Sequence, residues 1–331
     1  MTPPTPMTPP AQPTPPAPVS VVTVTYSPGD TLAAFLDSVR LADGSTVPVV
    51  VADNGSTDGS VERAVIRPGL QLVRTGGNLG FGQAANRGVA ATATEWVLIA
   101  NPDVILREDT LDALLAATSR WPRAGALGPL IRTGDGAIYP SARALPSLGR
   151  GVGHALFGWF WPTNPWTSAY RREKDAVTER TAGWLSGSCV LVRRVAFDAV
   201  GGFDPKFFMY FEDVDLGERL DRAGWLNVYV PSAEIVHLGG HSTSRHRSAM
   251  LAEHHHSAMT YLAGRYPGLR HAPLRLALRL GLGARARLLE RLSRRPAPGV
   301  GGAPAGGSVI ETSTRHDDPV DRGPSETGRS T

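Results

Sequence analysis

The chain has 331 residues, 41% of them hydrophobic, one cysteine and a formal net charge of +4. A core is therefore affordable in one large or two ordinary domains, and an internal disulfide is excluded. The charge is uneven: nine arginines lie between 265 and 295 against Glu290 alone, which argues against a nucleic-acid groove and for a local anionic partner.

In chain order, residues 1–18 hold nine prolines and no charged side chain, so they predict an extended, disordered tail and lack the basic start and apolar run of a secretory signal. "VSVVTVTY" (19–26) is a strand buried on both faces. "TLAAFLDSVRLA" (31–42) has helical spacing. "VPVVVADNGSTDGS" (47–60) is a strand running into a loop, and "LQLVRT" (70–75) is a third strand. "GGNLGFGQAANRGVAATA" (76–93) opens on glycines and continues as a helix. "EWVLIANPD" (95–103) is a fourth strand and "REDTLDALLAATSR" (107–120) a helix. This alternation predicts an α/β fold with an open, mainly parallel sheet flanked by helices.

The pattern weakens from 135 to 181, where "HALFGWFWPTNPW" (154–166) is aromatic but broken by prolines. "GWLSGSCVLVRR" (183–194) restores a strand, with Cys189 as a buried strand thiol of a reducing compartment. "RVAFDAVGGFD" is a short helix, "DVDLGERLDRAG" (213–224) a helix with a glycine stop, "NVYVPSAEIVHLGG" (227–240) contains extended segments, and "RSAMLAEHHHSAMTYLAGRY" (247–266) is a last helix. Adjacent residues cannot share a helix face, so His254–His256 read as solvated or packing residues. No run of about 18 apolar residues occurs, so no spanning helix is expected.

Ligands of open α/β sheets gather at the carboxyl ends of strands. Thr25 and Tyr26 end the first strand, Asp53 and Asn54 the second, Asn101 and Asp103 the fourth, and His237 a later one. Asp53, followed by Asn54, Gly55 and Ser56, either braces a turn or meets a nucleoside. The "NPD" at 101–103 is either an Asx-Pro turn or a carboxylate offered to a hard divalent cation, which leaves its other positions to water and phosphate. Gly80-x-Gly82-x-x-Ala85 fits a dinucleotide fingerprint. It follows the third strand rather than the first, which counts against a dehydrogenase. Trp184 is placed either to stack on an acceptor sugar or to pack in the core.

"YFEDVDL" (210–216) crowds Glu212, Asp213 and Asp215 beside Phe207, Phe208, Tyr210 and Phe211. One acid suffices to cap a helix, and three repel one another. Aromatic surroundings and like charges disfavour ionised carboxylates and make stronger bases of them.

"VVTVTY", "VVVADNGSTDGS", "NLGFGQAANRG", "LIANPD", "GWLSGSCVLVRR", "GGFDPKFFMYFEDVDLGERL" and "VHLGGHS" occur in that order. Together, over roughly 19–265, they resemble bacterial family 2 glycosyltransferases, most closely the rhamnosyltransferase-like branch. The resemblance implies a single GT-A catalytic domain over 19–267 and inverting transfer of a sugar, L-rhamnose from dTDP-rhamnose, to a GlcNAc-diphosphoryl-polyprenol in cell-wall polysaccharide synthesis. It implies Asp213 as catalytic base, with Glu212 orienting base or acceptor and Asp215 joining the cluster or serving the helix dipole. Asp53 would contact the nucleotide base, and Thr25, Tyr26, Asn54, Ser56, Asn78, Gly80, Asn101 and Trp184 would line the substrates. Asp103 and His237 would hold Mn²⁺ or Mg²⁺. Many members carry Asp where this chain has Asn101, which leaves one charge fewer for the metal. A galactofuranosyl or other hexosyl transferase and an inactive sugar-binding scaffold are the alternatives.

Residues 268–295 form a basic amphipathic segment, with Leu274, Leu278, Leu282, Leu289 and Leu292 on one helical face and Arg275, Arg279, Arg287 and Arg291 on the other. Leu276, Leu280 and Arg285 break the pattern. It reads either as an interfacial helix on anionic lipid or as a helix packed on the domain. A cytoplasmic enzyme, peripheral on the inner face of the plasma membrane, is expected. Residues 296–331 predict a second disordered tail.

Overall fold

A computed structural model describes residues 18–146, 177–239 and 247–281 apart from Leu278. The aromatic stretch at 154–166, both predicted tails and most of the arginine-rich segment lie outside the described residues.

The amino-terminal half is the predicted β-α-β alternation, with a short helix between the second and third strands where only a loop was expected. Strands β1 (Val19–Thr25), β2 (Val49–Asp53), β3 (Leu70–Arg74) and β4 (Trp96–Ala100) are separated by helices α1 (Thr31–Ser38), α2 (Ser60–Ala64) and α3 (Phe81–Ala90). They pair in parallel in the order β3-β2-β1-β4. Every residue of β1 and β4 is buried, as continuous apolar runs in a two-sided sheet require. Beyond β4 come β5 (Val104–Leu106), α4 (Thr110–Arg120), β6 (Ala124–Thr133), β7 (Ile138–Tyr139), β8 (Ala142–Arg143), β9 (Arg180–Ala182), β10 (Trp184–Leu185), β11 (Cys189–Arg193), α5 (Arg194–Ala199), α6 (Glu212–Arg222), β12 (Leu226–His237) and α7 (Arg247–Arg265). β11 runs antiparallel between β4 and β6, and the main order continues β4-β11-β6-β12-β5. The sheet is mixed, with its parallel half as expected. Cys189 is buried beside Ala100, in line with its reading as a strand thiol.

Sequence reading missed β6, whose Gly125, Gly128 and Pro129 weaken any strand signal. Close packing accounts for both glycines: a Cβ at Gly125 would lie 2.7 Å from Trp225 Cβ, and one at Gly128 2.9 Å from Leu185. Pro129 lies at an irregularity, where β12 shifts register between Val230 and Glu234. One core cluster joins the sheet to α1, α2 and α4 through Leu32, Phe35, Val61, Leu111 and Leu114. The other joins it to α3, α5 and α6 through Ala85, Val89, Phe197, Phe203, Leu216 and Leu220.

Candidate active site

Parallel pairing carries the ends of β1 and β2 to the same sheet edge, with Thr25 opposite Asp53. Thr25 Oγ1 donates to Asp53 Oδ1 at 3.2 Å and the Ser56 amide donates to the same oxygen at 3.0 Å. Arg74 Nη1 lies 3.5 Å from Asp53 Oδ2. Ser56 Oγ in turn accepts from the Ser27 amide at 2.9 Å, and Tyr26 stands 53% exposed above this floor.

Asn54 is buried and spends its whole amide on the protein. Its Nδ2 donates to Asn78 Oδ1 and the Gly80 carbonyl, and its Oδ1 accepts from the Leu79 amide and Thr75 Oγ1. Gly80 has φ +84°, and a Cβ there would sit 2.1 Å from the Phe208 carbonyl oxygen, which also accepts from the Phe81 amide. Asn54 thus fixes the 76–80 loop, and Gly80 lets that loop close onto the segment leading to the acids. A Cβ at Gly82 would lie 2.9 Å from Phe203 Cβ. At both glycines of the apparent dinucleotide fingerprint the side-chain position is thus filled by protein, so close packing accounts for them.

Asp103 and His237 come together through strand register: His237 of β12 pairs with Val104 of β5, next to Asp103. His237 Nε2 and Asp103 Oδ1 are 3.1 Å apart, and both side chains are partly exposed. The carboxylate oxygen suits Mn²⁺ or Mg²⁺, and the imidazole nitrogen suits a transition ion such as Mn²⁺ better than Mg²⁺, with the remaining positions left to phosphate and water. Among the described residues no three His, Cys, Asp or Glu side chains could hold an ion by themselves, so an ion at this pair would need further ligands from substrate or water.

The turn Ser186–Ser188 joins this edge to the acid cluster. The Ser188 carbonyl accepts from the Asn101 amide at 2.9 Å, and the Gly187 amide donates to Asp213 Oδ2 at 3.0 Å. Asp213 Oδ1 accepts from the Val214 amide at 2.8 Å, in the first turn of α6, where the helix dipole favours an anion. Glu212 is buried, and its Oε2 has no partner among the described residues. Burial pushes both carboxyls upward, and the Asp213 charge helps bring Glu212 to about 8. The Gly187, Val214 and Asp213 amides oppose the rise at Asp213, and only its own amide does so at Glu212. The richer set of amide donors favours the negative charge on Asp213 over Glu212.

The loop entering α6 is strained. Tyr210 and Phe211 have φ of +67° and +65°, a region that costs a bulky residue on the order of 1–3 kcal/mol. Helix α7 holds them there. His254 meets both rings edge-on at 5.4 Å, Tyr261 lies 5.6 Å from Phe211, and Ser257 Oγ donates to the Met209 carbonyl at 2.8 Å. Glu218 of α6 anchors α7 by accepting from Tyr261 Oη at 2.6 Å and pairing with Arg265.

The glycosyl transferase family 2 profile matches residues 20–201. Over 287 residues the chain is 55% identical to the N-acetylglucosaminyl-diphospho-decaprenol L-rhamnosyltransferase of Mycobacterium tuberculosis, covering 83% of this chain and 94% of that one. This chain belongs to glycosyltransferase family 2. It is also 29% identical over 255 residues to the Escherichia coli rhamnosyltransferase WbbL, covering 74% of this chain and 92% of that one. The solved mannosyltransferase PcManGT from Pyrobaculum calidifontis, in complex with GDP-Man and Mn²⁺, superposes with a TM-score of 0.54 at 19% identity over 85% of this chain and 76% of that one. That likeness speaks for the fold.

Several residues expected to meet substrate do other work in this family 2 glycosyltransferase. Asp215 is paired with Arg219 at 2.7 Å and lies 3.6 Å from Lys206. Arg219 itself donates to the carbonyls of Val200 and Gly202, so Asp215 ties α6 to the preceding loop. Asn54 and Gly80 are occupied as described, whereas Asn78 remains exposed. Trp184 donates Nε1 to the Ala144 carbonyl at 3.2 Å and carries the Arg143 guanidinium over its ring at 5.3 Å. Sequence reasoning missed the Gly187 amide, because a backbone donor leaves no residue-type signal. It also missed Arg74, whose partner is fixed only by the β2–β3 register.

Proposed function

We propose that this glycosyltransferase moves L-rhamnose from dTDP-rhamnose to a hydroxyl of a GlcNAc-diphosphoryl-polyprenol, inverting the anomeric centre. The observation that carries the reading is the single turn flanked by two working groups, Asp213 on one side and the Asp103–His237 pair reached through Asn101 on the other. The Mycobacterium relative's name supports the choice of sugar and acceptor.

Asp213 accepts the acceptor hydroxyl's proton as its oxygen attacks the anomeric carbon. The bond from that carbon to the donor phosphate breaks, and the nucleotide diphosphate leaves from the opposite face. Glu212, protonated, keeps a second negative charge off the base. Asp53, Ser56 and Tyr26 line the nucleoside end, with Arg74 beside the Asp53 carboxylate. Asp103 and His237 would hold a divalent cation, which would stabilise charge on the departing diphosphate.

Exposed leucines at 269, 276 and 280 accompany exposed Arg270 and Arg279, which supports a peripheral seat on an anionic membrane. Among the described residues no helix is long and apolar enough to cross one.

The test is transfer by the full-length protein from a panel of nucleotide sugars to a short-chain GlcNAc-diphosphoryl lipid. Rhamnosyl product that requires dTDP-rhamnose and disappears under thorough chelation is expected. Preferential transfer from a galactofuranosyl donor would overturn the sugar, and undiminished turnover without metal would reduce Asp103 to a turn residue.

A further inference from the structure

Arg143 ends β8, and β8 pairs with β10 beside the base. Trp184 lies opposite Arg143 and Leu185 opposite Ala142. The Gly183 amide donates to the Arg143 carbonyl at 2.9 Å and the Ser186 amide to the Ser141 carbonyl at 2.8 Å. One residue further on, Gly187 holds Asp213. Arg143 and the base therefore hang from the same short strand and turn.

The guanidinium is framed rather than neutralised. Its carbon lies 5.3 Å from the centres of both the Tyr139 and Trp184 rings, and Nε donates to the Pro140 carbonyl at 2.8 Å. Among the described residues no carboxylate lies within ion-pair distance of it, and neither Nη atom has a hydrogen-bond acceptor. Asp213 nonetheless feels it: burial pushes that carboxyl up, while the Gly187 and Val214 amides and, less strongly, the Arg143 charge pull it down. A half-buried guanidinium held between aromatic rings, with both Nη nitrogens unpartnered among the described residues, is a preformed fork for phosphate oxygens.

We propose that Arg143 binds the acceptor's own diphosphate, so that the enzyme selects a sugar already linked through phosphate over an unphosphorylated one. The inference rests on the acceptor reading above. Donor and acceptor share diphosphate chemistry, but the pair proposed to hold the metal connects to the Ser186–Ser188 turn through Asn101, whereas Arg143 pairs with Trp184 on the strand entering that turn and its charge acts on Asp213. The diphosphate it meets is the one a sugar ring away from the attacking hydroxyl. Trp184 then serves the acceptor indirectly, by orienting the arginine.

The experiment compares full-length wild type, Arg143→Ala and Arg143→Lys on two acceptors, a short-chain alkyl GlcNAc-diphosphate and a neutral alkyl GlcNAc glycoside, with donor and acceptor concentrations both varied. Arg143→Ala should raise KM for the diphosphate acceptor about tenfold or more, the scale of one charge-assisted hydrogen bond. The change on the neutral acceptor should be smaller by a similar factor, and Arg143→Lys should recover part of the loss. Equal losses on both acceptors would mean that Arg143 acts only through Asp213 and would overturn the proposal, as would a rise in donor KM alone. A wild type indifferent to the acceptor's diphosphate would bring down the acceptor reading and this inference together. Should the alanine variant not fold, Arg143→Lys and Arg143→Gln carry the same comparison.

Discussion

Glu212 and Asp213 are adjacent in sequence but differently hydrogen-bonded, and that difference favours the negative charge on Asp213. The Asp213 carboxylate has two amide donors and a helix N-terminus, while Glu212 is buried with an orphaned oxygen. Replacing Asp213 by Asn should lower transfer by about 10²–10⁴-fold while donor binding, followed by calorimetry, persists. Near-normal turnover would remove Asp213 as the base. Glu212 makes a separate prediction. An acid kept protonated by the fold holds more protons folded than unfolded, so stability falls as pH rises from its ordinary 4.5 through about 8. Wild type should lose on the order of a few kcal/mol across that window, and Glu212→Gln should lose less, as measured by urea melts at several pH values. Identical pH profiles would place the proton elsewhere. The acid cluster could be read from "YFEDVDL", but its division of roles could not. Asp215 looks like its neighbours until Arg219 takes it, and Asn54 looks like a ligand until its four hydrogen bonds are counted.

At the scale of elements, β1 to β4 with α1 and α3 were legible because buried runs, helical spacing and glycine turns agree locally, whereas the five-residue α2 was too short to show a periodicity. β6 was not legible either, because its glycines and proline answer to Trp225, Leu185 and the irregular β12, all distant in sequence. The strained Tyr210–Phe211 pair also escaped notice, since nothing local demands a left-handed aromatic. Phe211 is partly buried against α7, and fully burying such a side chain contributes roughly 1.5–3 kcal/mol, so its packing offsets part of the strain. The contact between the 76–80 loop and Phe208 gives the sharpest test. Gly80→Ala puts a methyl 2.1 Å from a carbonyl oxygen, and backbone rather than a flexible side chain would have to yield. We expect a loss of about 2 kcal/mol or more in thermal or urea melts, with impaired activity in whatever remains folded. A variant as stable and active as wild type would show that the loop shifts freely.

At the scale of the whole molecule, the motif order was legible along most of the chain, and the surface facing the expected membrane was not. Among the described leucines after α7, those set aside as pattern breakers, Leu276 and Leu280, are exposed with Leu269, whereas Leu274 is partly covered. Arg275, assigned from sequence to the polar face, donates to the carbonyls of Tyr266 and Gly268. Residue spacing alone could not reveal that backbone partner. Leu276→Glu combined with Leu280→Glu should weaken sedimentation with anionic vesicles at least several-fold while leaving transfer to a short-chain acceptor intact. Unchanged vesicle binding would move the contact off this face. The lone thiol in the sheet gives the molecule an internal clock. Cys189 is 1% exposed, its thiol is pushed up to about 12, and it is the first residue of the strand that leaves the Ser186–Ser188 turn. A disulfide reagent can reach it only when the packing around β11 opens, so its labelling rate counts those openings. If they break the donor site, saturating nucleotide should slow labelling by the ratio of free ligand to Kd. A rate indifferent to nucleotide would mean that the strand breathes without disturbing the site.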